Sequence, residues 1–202
     1  MSYTSEIKKI VEALKKIDYI KPDDLPNIDL YMDQVTTFMD RHLETTRRFS
    51  EDKLLTKTMI NNYTKNNLLP SPEKKKYGKD HLFLLIYIYY MKNFLSINDI
   101  QKVLSPLTER YFNAKDGIKF DDIYNEVFKL EKQQSYTITK DILDKYTLVS
   151  HEFKDIPDKD EQDGLKKFIF ISELCFDVYM KKQLIETIID DDSKSSDNKE
   201  KE

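Results

Sequence analysis

Apolar residues recur at helical spacing through most of the chain. Ile7, Ile10, Val11, Leu14 and Ile17 line one face of a first amphipathic segment, with Glu and Lys on the other. Lys21-Pro22-Asp23-Asp24-Leu25-Pro26 interrupts that pattern and predicts a linker, because Pro lacks the amide a helix needs. A second helix is predicted from about Leu30 to His42, with Leu30, Val35, Phe38, Met39 and then Leu43 available for burial. A third covers about Thr56 to Asn66. Along it Thr56, Ile60, Tyr63 and Asn67 share one face, and Thr58, Asn61, Asn62 and Lys65 share the opposite one. Asn67 falls at its end, where Asn tolerates a left-handed backbone better than most residues.

The next segment, about Lys79 to Asn93, contains the most apolar run of the chain, Leu82 to Met91. It is well short of the roughly 20 residues that span a bilayer, so a buried core helix is predicted; its β-branched and aromatic content leaves a buried strand as the alternative. Ser96-Ile97-Asn98-Asp99 reads as a capping box opening a short helix through Leu104, and Ser105-Pro106 as the start of another. Asp116-Gly117 marks a turn. Two or three further helices are predicted between Phe120 and Asp190. The last, about Asp160 to Ile189, carries the densest apolar set, broad enough to predict burial within its own domain, with Cys175 as an inert core thiol. The stretch from Asp190, DDDSKSSDNKEKE, has no apolar residue and is expected to be disordered.

Composition narrows the function classes. With 3 Gly and 6 Pro in 202 residues, the chain lacks the turns of an all-β fold and the loops of a Gly-rich nucleotide site. A single Cys excludes an internal disulfide and a Cys-based zinc cluster, and His42, His81 and His151 are scattered, so no metal and no cofactor is expected. The acid-rich stretch from Asp155 to Gly164 fails the EF-hand pattern, with Gln162 where the calcium loop has Asp or Asn and Asp163 where it has Gly; it reads as a solvated loop before the last helix. No hydrolase, kinase or P-loop signature occurs, and no catalytic residue is assigned, so the chain is expected not to be an enzyme. The first segment shows no secretory h-region, and a cytoplasmic protein without membrane attachment is expected.

Charge is distributed unevenly. From Thr45 to Lys79 there are nine bases and three acids, a net of +6, while the remainder of the chain carries −10. A basic patch on an acidic protein is the footprint of phosphate binding. Asn can hydrogen-bond an adenine edge and Thr a base or phosphate, so Thr58, Asn61, Asn62 and Lys65 form a candidate base-facing helix surface. Arg47, Arg48, Lys57, Lys74, Lys75, Lys76 and Lys79 are candidate phosphate contacts.

The order of elements resembles the winged helix-turn-helix of MerR-type regulators. The matching strings are Ile60-Asn61-Asn62-Tyr63-Thr64-Lys65-Asn66-Asn67-Leu68-Leu69-Pro70, then the basic wing Glu73-Lys74-Lys75-Lys76-Tyr77, then Lys79-Asp80-His81-Leu82. Asn61, Asn62 and Asn67 stand where that family carries Arg, Tyr and Gly. More closely, PNIDLYMDQVTTFMD, LTKTMINNYTKNNLLP and KKKYGKDHL resemble the bacterial domain of unknown function 1836 family, over about Pro26 to Leu107.

The resemblance implies an all-α fold with a minimal β-wing: a MerR-like winged helix-turn-helix at 26–107, preceded by an amphipathic helix and linker at 1–25. A helical part at 108–189 and the acidic tail at 190–202 follow. It also implies a transcription-regulator-like protein that binds DNA and forms a homodimer through the C-terminal helices. The alternative is a non-enzymatic protein–protein interaction module on a degenerate winged-helix scaffold.

Overall fold

The computed structural model describes residues 3–14 and 20–199. Its helices are α1 (Tyr3–Leu14), α2 (Met32–His42), α3 (Lys57–Lys65), α4 (Lys79–Met91), α5 (Ile97–Tyr111), α6 (Phe120–Ser150) and α7 (Lys159–Lys199). Two short strands, β1 (Leu30–Tyr31) and β2 (Lys76–Tyr77), form one antiparallel pair. Short 3₁₀ turns occupy Pro22–Asp24 and Glu44–Thr46. The protein is therefore mostly helical, with a small two-stranded sheet and a helical C-terminal region.

The chain divides into two compact units. One comprises Asp18–Lys129 and Glu186–Glu202, the other Met1–Ile17 and Leu130–Ile185, each through its described residues. The first is organised around α4. Leu82, Phe83, Leu84, Leu85, Ile86 and Ile88 are completely buried, which settles the helix against the strand. Each such side chain is worth about 1.5–3 kcal/mol in removal from water. Val35 and Met39 of α2, Ile60 and Tyr63 of α3, and Ile100 and Leu104 of α5 are buried in the same unit. So are Phe120 and Tyr124, at the start of α6. Tyr124 packs on Phe83 at 4.6 Å and donates its hydroxyl to the Ile20 carbonyl at 2.6 Å. The first segment of the unit thus runs past residue 107 to Lys129, because these two aromatics complete its core, and Glu186–Glu202 joins it.

Three further expectations need correction. Ser105-Pro106 does not start a helix: Pro106 lies inside α5. Its ring deletes one backbone bond, but its fixed φ is helical, and burial of Ile100 and Leu104 fixes the segment. Beyond the Glu73–Lys76 bridge that closes its own turn, the wing strand takes its partner from before α2. Leu30 pairs with Tyr77 and Tyr31 with Lys76, so residues expected to open the second helix form a strand instead. Finally, α7 continues to Lys199 through most of the stretch expected to be disordered. Residues 200–202 lie outside the described residues, as does Ile17 of the first amphipathic pattern.

In the second unit, Ile7 and Val11 of α1, Val149 of α6 and Phe170 of α7 form a small core, with Ile142, Tyr146, Ile169 and Leu174 packed against it. Most of the apolar set of α7 is outside it. Phe168, Ile171, Val178 and Tyr179 are exposed, and so is Cys175, which is not the core thiol expected.

Candidate nucleic-acid interface

α3 is well specified at both ends. The Thr56 hydroxyl accepts from the Met59 amide at 3.2 Å, capping the N-terminus. At the other end Asn67 adopts φ 54°. The Leu68 amide then reaches the Tyr63 carbonyl at 2.9 Å and the Asn67 amide reaches Thr64 at 3.2 Å, a Schellman closure. Leu68 and Leu69 turn directly into the core. With Ile60 and Tyr63 inward, Thr58, Asn61, Asn62 and Lys65 are all exposed, on the face expected. Burial holds the Tyr63 hydroxyl above its usual pKa, so the ring stays neutral.

The basic ribbon is a tight turn. The Lys76 amide donates to the Glu73 carbonyl at 2.9 Å. The two central residues, Lys74 (φ 50°) and Lys75 (φ 64°), are both left-handed. A turn of this hand usually takes Asn-Gly. Two residues bearing long side chains there cost of order 1–3 kcal/mol each, and such strain clusters at functional sites. Both lysines are exposed, whereas Lys76 is half-buried with its ammonium 5.5 Å from the centre of the Tyr31 ring.

Arg47, Arg48, Lys57 and Lys79 are engaged by acids or rings. Lys57 pairs with Asp33 of α2. Lys79 pairs with Asp121 of α6 at 2.6 Å and lies over Phe83. Arg47 reaches Asp40 at 3.4 Å, and its buried Nε has no hydrogen-bond partner among the described residues. Arg48 sits over Phe49 at 5.1 Å. Lys53, Lys65, Lys74 and Lys75 are exposed cations with neither an acid nor a ring shown against them among the described residues, and of these Lys65, Lys74 and Lys75 belong to α3 and the turn. The sequence-based patch contained Lys65, Lys74 and Lys75, and overstated the charge around them.

Two features escaped the sequence reading. Lys92, at the end of α4, donates its ammonium to the Leu54 carbonyl at 2.8 Å and lies over Tyr89 at 4.8 Å. Burial lowers its pKa, and it pins the α2–α3 connection to α4. The Thr46 hydroxyl meets Tyr89 Oη at 2.5 Å and does the same earlier in that connection. No local spacing signals either bond, since the partners lie far apart in sequence. The second feature is His81, which is 5% exposed at the head of α4.

Among the described residues no group of three or more His, Cys, Asp or Glu is placed to hold a metal, and no helix is long and apolar enough to cross a membrane. The arrangement suits electrostatic and hydrogen-bonding contact with a polyanion.

The first unit is thus a small helical domain with a clasped β-bridge and an unpaired cationic turn. The family described as Domain of unknown function (DUF1836) matches residues 20–127, and the chain belongs to that family. The matched stretch nearly coincides with Asp18–Lys129, the main segment of the first compact unit, so the family boundary is a physical one. No curated protein and no solved structure matches the chain.

Proposed function

We propose that the protein binds double-stranded DNA as a MerR-like winged helix-turn-helix regulator of transcription. The observation that carries this reading is the acid-free outer face of α3, where Thr58, Asn61, Asn62 and Lys65 are all exposed, joined by a short connection to the unpaired Lys74–Lys75 turn. On this reading α3 enters the major groove and the turn meets phosphate. Arg48 and Lys76 add to the phosphate footprint, and Arg47, Lys57 and Lys79 join it by exchanging an aspartate for a phosphate oxygen. The exposed Lys57–Asp33 pair holds by about 0–1 kcal/mol, so its exchange is easy, while the half-buried Arg47 and Lys79 give up more. The exposed apolar side chains of α6 and α7 supply a homodimer contact, which holds two such domains on two half-sites.

The pairing of Lys57 with Asp33 and of Lys79 with Asp121 favours a second reading, a protein-interaction module that meets acidic partners. A binding titration against random and genomic DNA at several salt concentrations separates the two. DNA binding that weakens steeply with salt supports the regulator. Absence of binding at low salt, where electrostatic affinity is greatest, refutes it.

A further inference from the structure

We propose that His81 is a proton-operated latch on the cationic turn: neutral, it clamps Gly78 and the strand leading out of the turn; protonated, it releases them. The Gly78 amide donates to His81 Nδ1 at 3.1 Å. An amide pointing at Nδ1 requires a lone pair there, so the ring is neutral with its proton on Nε2. Gly78 is the single residue between β2 and α4, and Tyr77 before it packs edge-on to the imidazole at 5.4 Å. Phe112, after α5, closes the other side at 4.8 Å. His81 therefore touches both the amide and the ring that fix the exit of the strained Lys74–Lys75 turn.

Protonation puts a hydrogen on Nδ1 facing the Gly78 hydrogen, and the clamp becomes a donor–donor repulsion. It also puts a positive charge in the first turn of α4, where the unpaired amides already carry partial positive charge. The surrounding groups set the balance. From the segment before β1, the Asp29 carboxylate favours the proton; the Pro70 and Ser71 backbone beside the ring does so too. The Tyr77 phenol is kept neutral by burial. The neighbouring Asp80 carboxylate is turned to the Asn113 amide at 2.7 Å. Burial outweighs the favourable groups and pushes the imidazole below its usual range. Release frees a turn that is already strained, so a single proton moves two lysines.

Nuclear magnetic resonance of the full chain without DNA tests this, with imidazole and amide nitrogens followed from pH 8 to pH 5. The expected result is an unprotonated Nδ1 at neutral pH and protonation below the ordinary imidazole value of ~6.5. The amides of Lys75, Lys76 and Gly78 should shift with the same midpoint, and His81→Asn, whose side-chain oxygen can accept from Gly78 without titrating, should abolish that shift. A proton on Nδ1 at neutral pH, turn amides that ignore the His81 midpoint, or a midpoint that survives in His81→Asn overturns the latch. If the variant does not fold, the wild-type midpoints decide alone. The consequence for DNA rests on the function proposed above: affinity should fall several-fold from pH 7.5 to 5.5. A latch observed in a protein that binds no DNA at any pH removes the regulator reading and leaves the latch.

Discussion

At the scale of single residues, Tyr63 and Asn61 test the two faces of α3 separately. Tyr63 is 8% exposed beside a completely buried Ile60. Tyr63→Ala should cost about 3–5 kcal/mol in urea unfolding, the range for emptying a buried aromatic site. A change within ~0.5 kcal/mol, as for a surface site, would overturn the face assignment. Asn61→Ala should leave stability nearly unchanged. On the proposed function it should cost about 1–3 kcal/mol on a preferred DNA site and little on random DNA, because a base contact would be lost and the phosphate contacts would remain. His81 and Asp80 set the pH dependence with opposite signs. The His81 pKa is lowered in the folded state, so the unfolded chain binds its proton first as pH falls. Its contribution is complete above ~6.5 and declines as acid is added. The Asp80 pKa is raised, chiefly by burial, so there the folded state binds the proton first and gains stability as pH falls through that raised value. Urea midpoints should therefore drop between pH 7.5 and 5.5 and flatten further down. His81→Asn should remove the first part of that drop.

At the scale of elements, the proposed function sets binding against stability at the Lys74–Lys75 turn. The double substitution Lys74→Asn with Lys75→Gly suits the left-handed backbone at both positions, since Asn followed by Gly is the pair such turns favour. It should raise stability by about 1 kcal/mol or more as strain is relieved. On the proposed function the same change removes two phosphate contacts. It should weaken binding to every DNA about equally and reduce the slope of log affinity against log salt by about 0.9 per lost contact. An unchanged slope would show that the turn does not meet phosphate. The helices α3 and α4 were legible in the chain because their determinants are local: an apolar face at helical spacing, an Asn stop, an apolar run of the right length. The strand pair was not, since Leu30 and Tyr31 find their partners beyond α3 and two residues carry too little pattern to announce a strand. Pro106 misled for a related reason. The local signal for a helix start was real, and tertiary burial of Leu104 overrode it.

At the scale of the whole molecule, the sequence motifs ended near Leu107 while the compact unit runs on to Lys129. The difference is physical. Phe120 is completely buried and lies 6.3 Å from Phe83, and Tyr124 ties α6 to the carbonyl of Ile20. These contacts join distant segments and leave no periodic trace near residue 107. A fragment of residues 20–107 also cuts α5 before its end at Tyr111, leaving Phe83 and Tyr87 without their aromatic partner. It should show no cooperative thermal transition. A fragment of residues 20–129 should unfold cooperatively. Its midpoint should lie below that of the full chain, because it lacks the buried Ile189 and the pairing of Lys102 with Asp190 at 3.6 Å. On the proposed function the longer fragment should also sediment as a monomer, having lost the exposed apolar residues of α6 and α7, while the full chain should sediment as a dimer at micromolar concentration. The fragment should still bind DNA, but weakly and without preference for paired half-sites, since two domains no longer act at one effective concentration. A monomeric full chain would remove the homodimer from the proposal. A cooperative 20–107 fragment would place the aromatic cluster outside the folding unit, and with it the boundary drawn at Lys129.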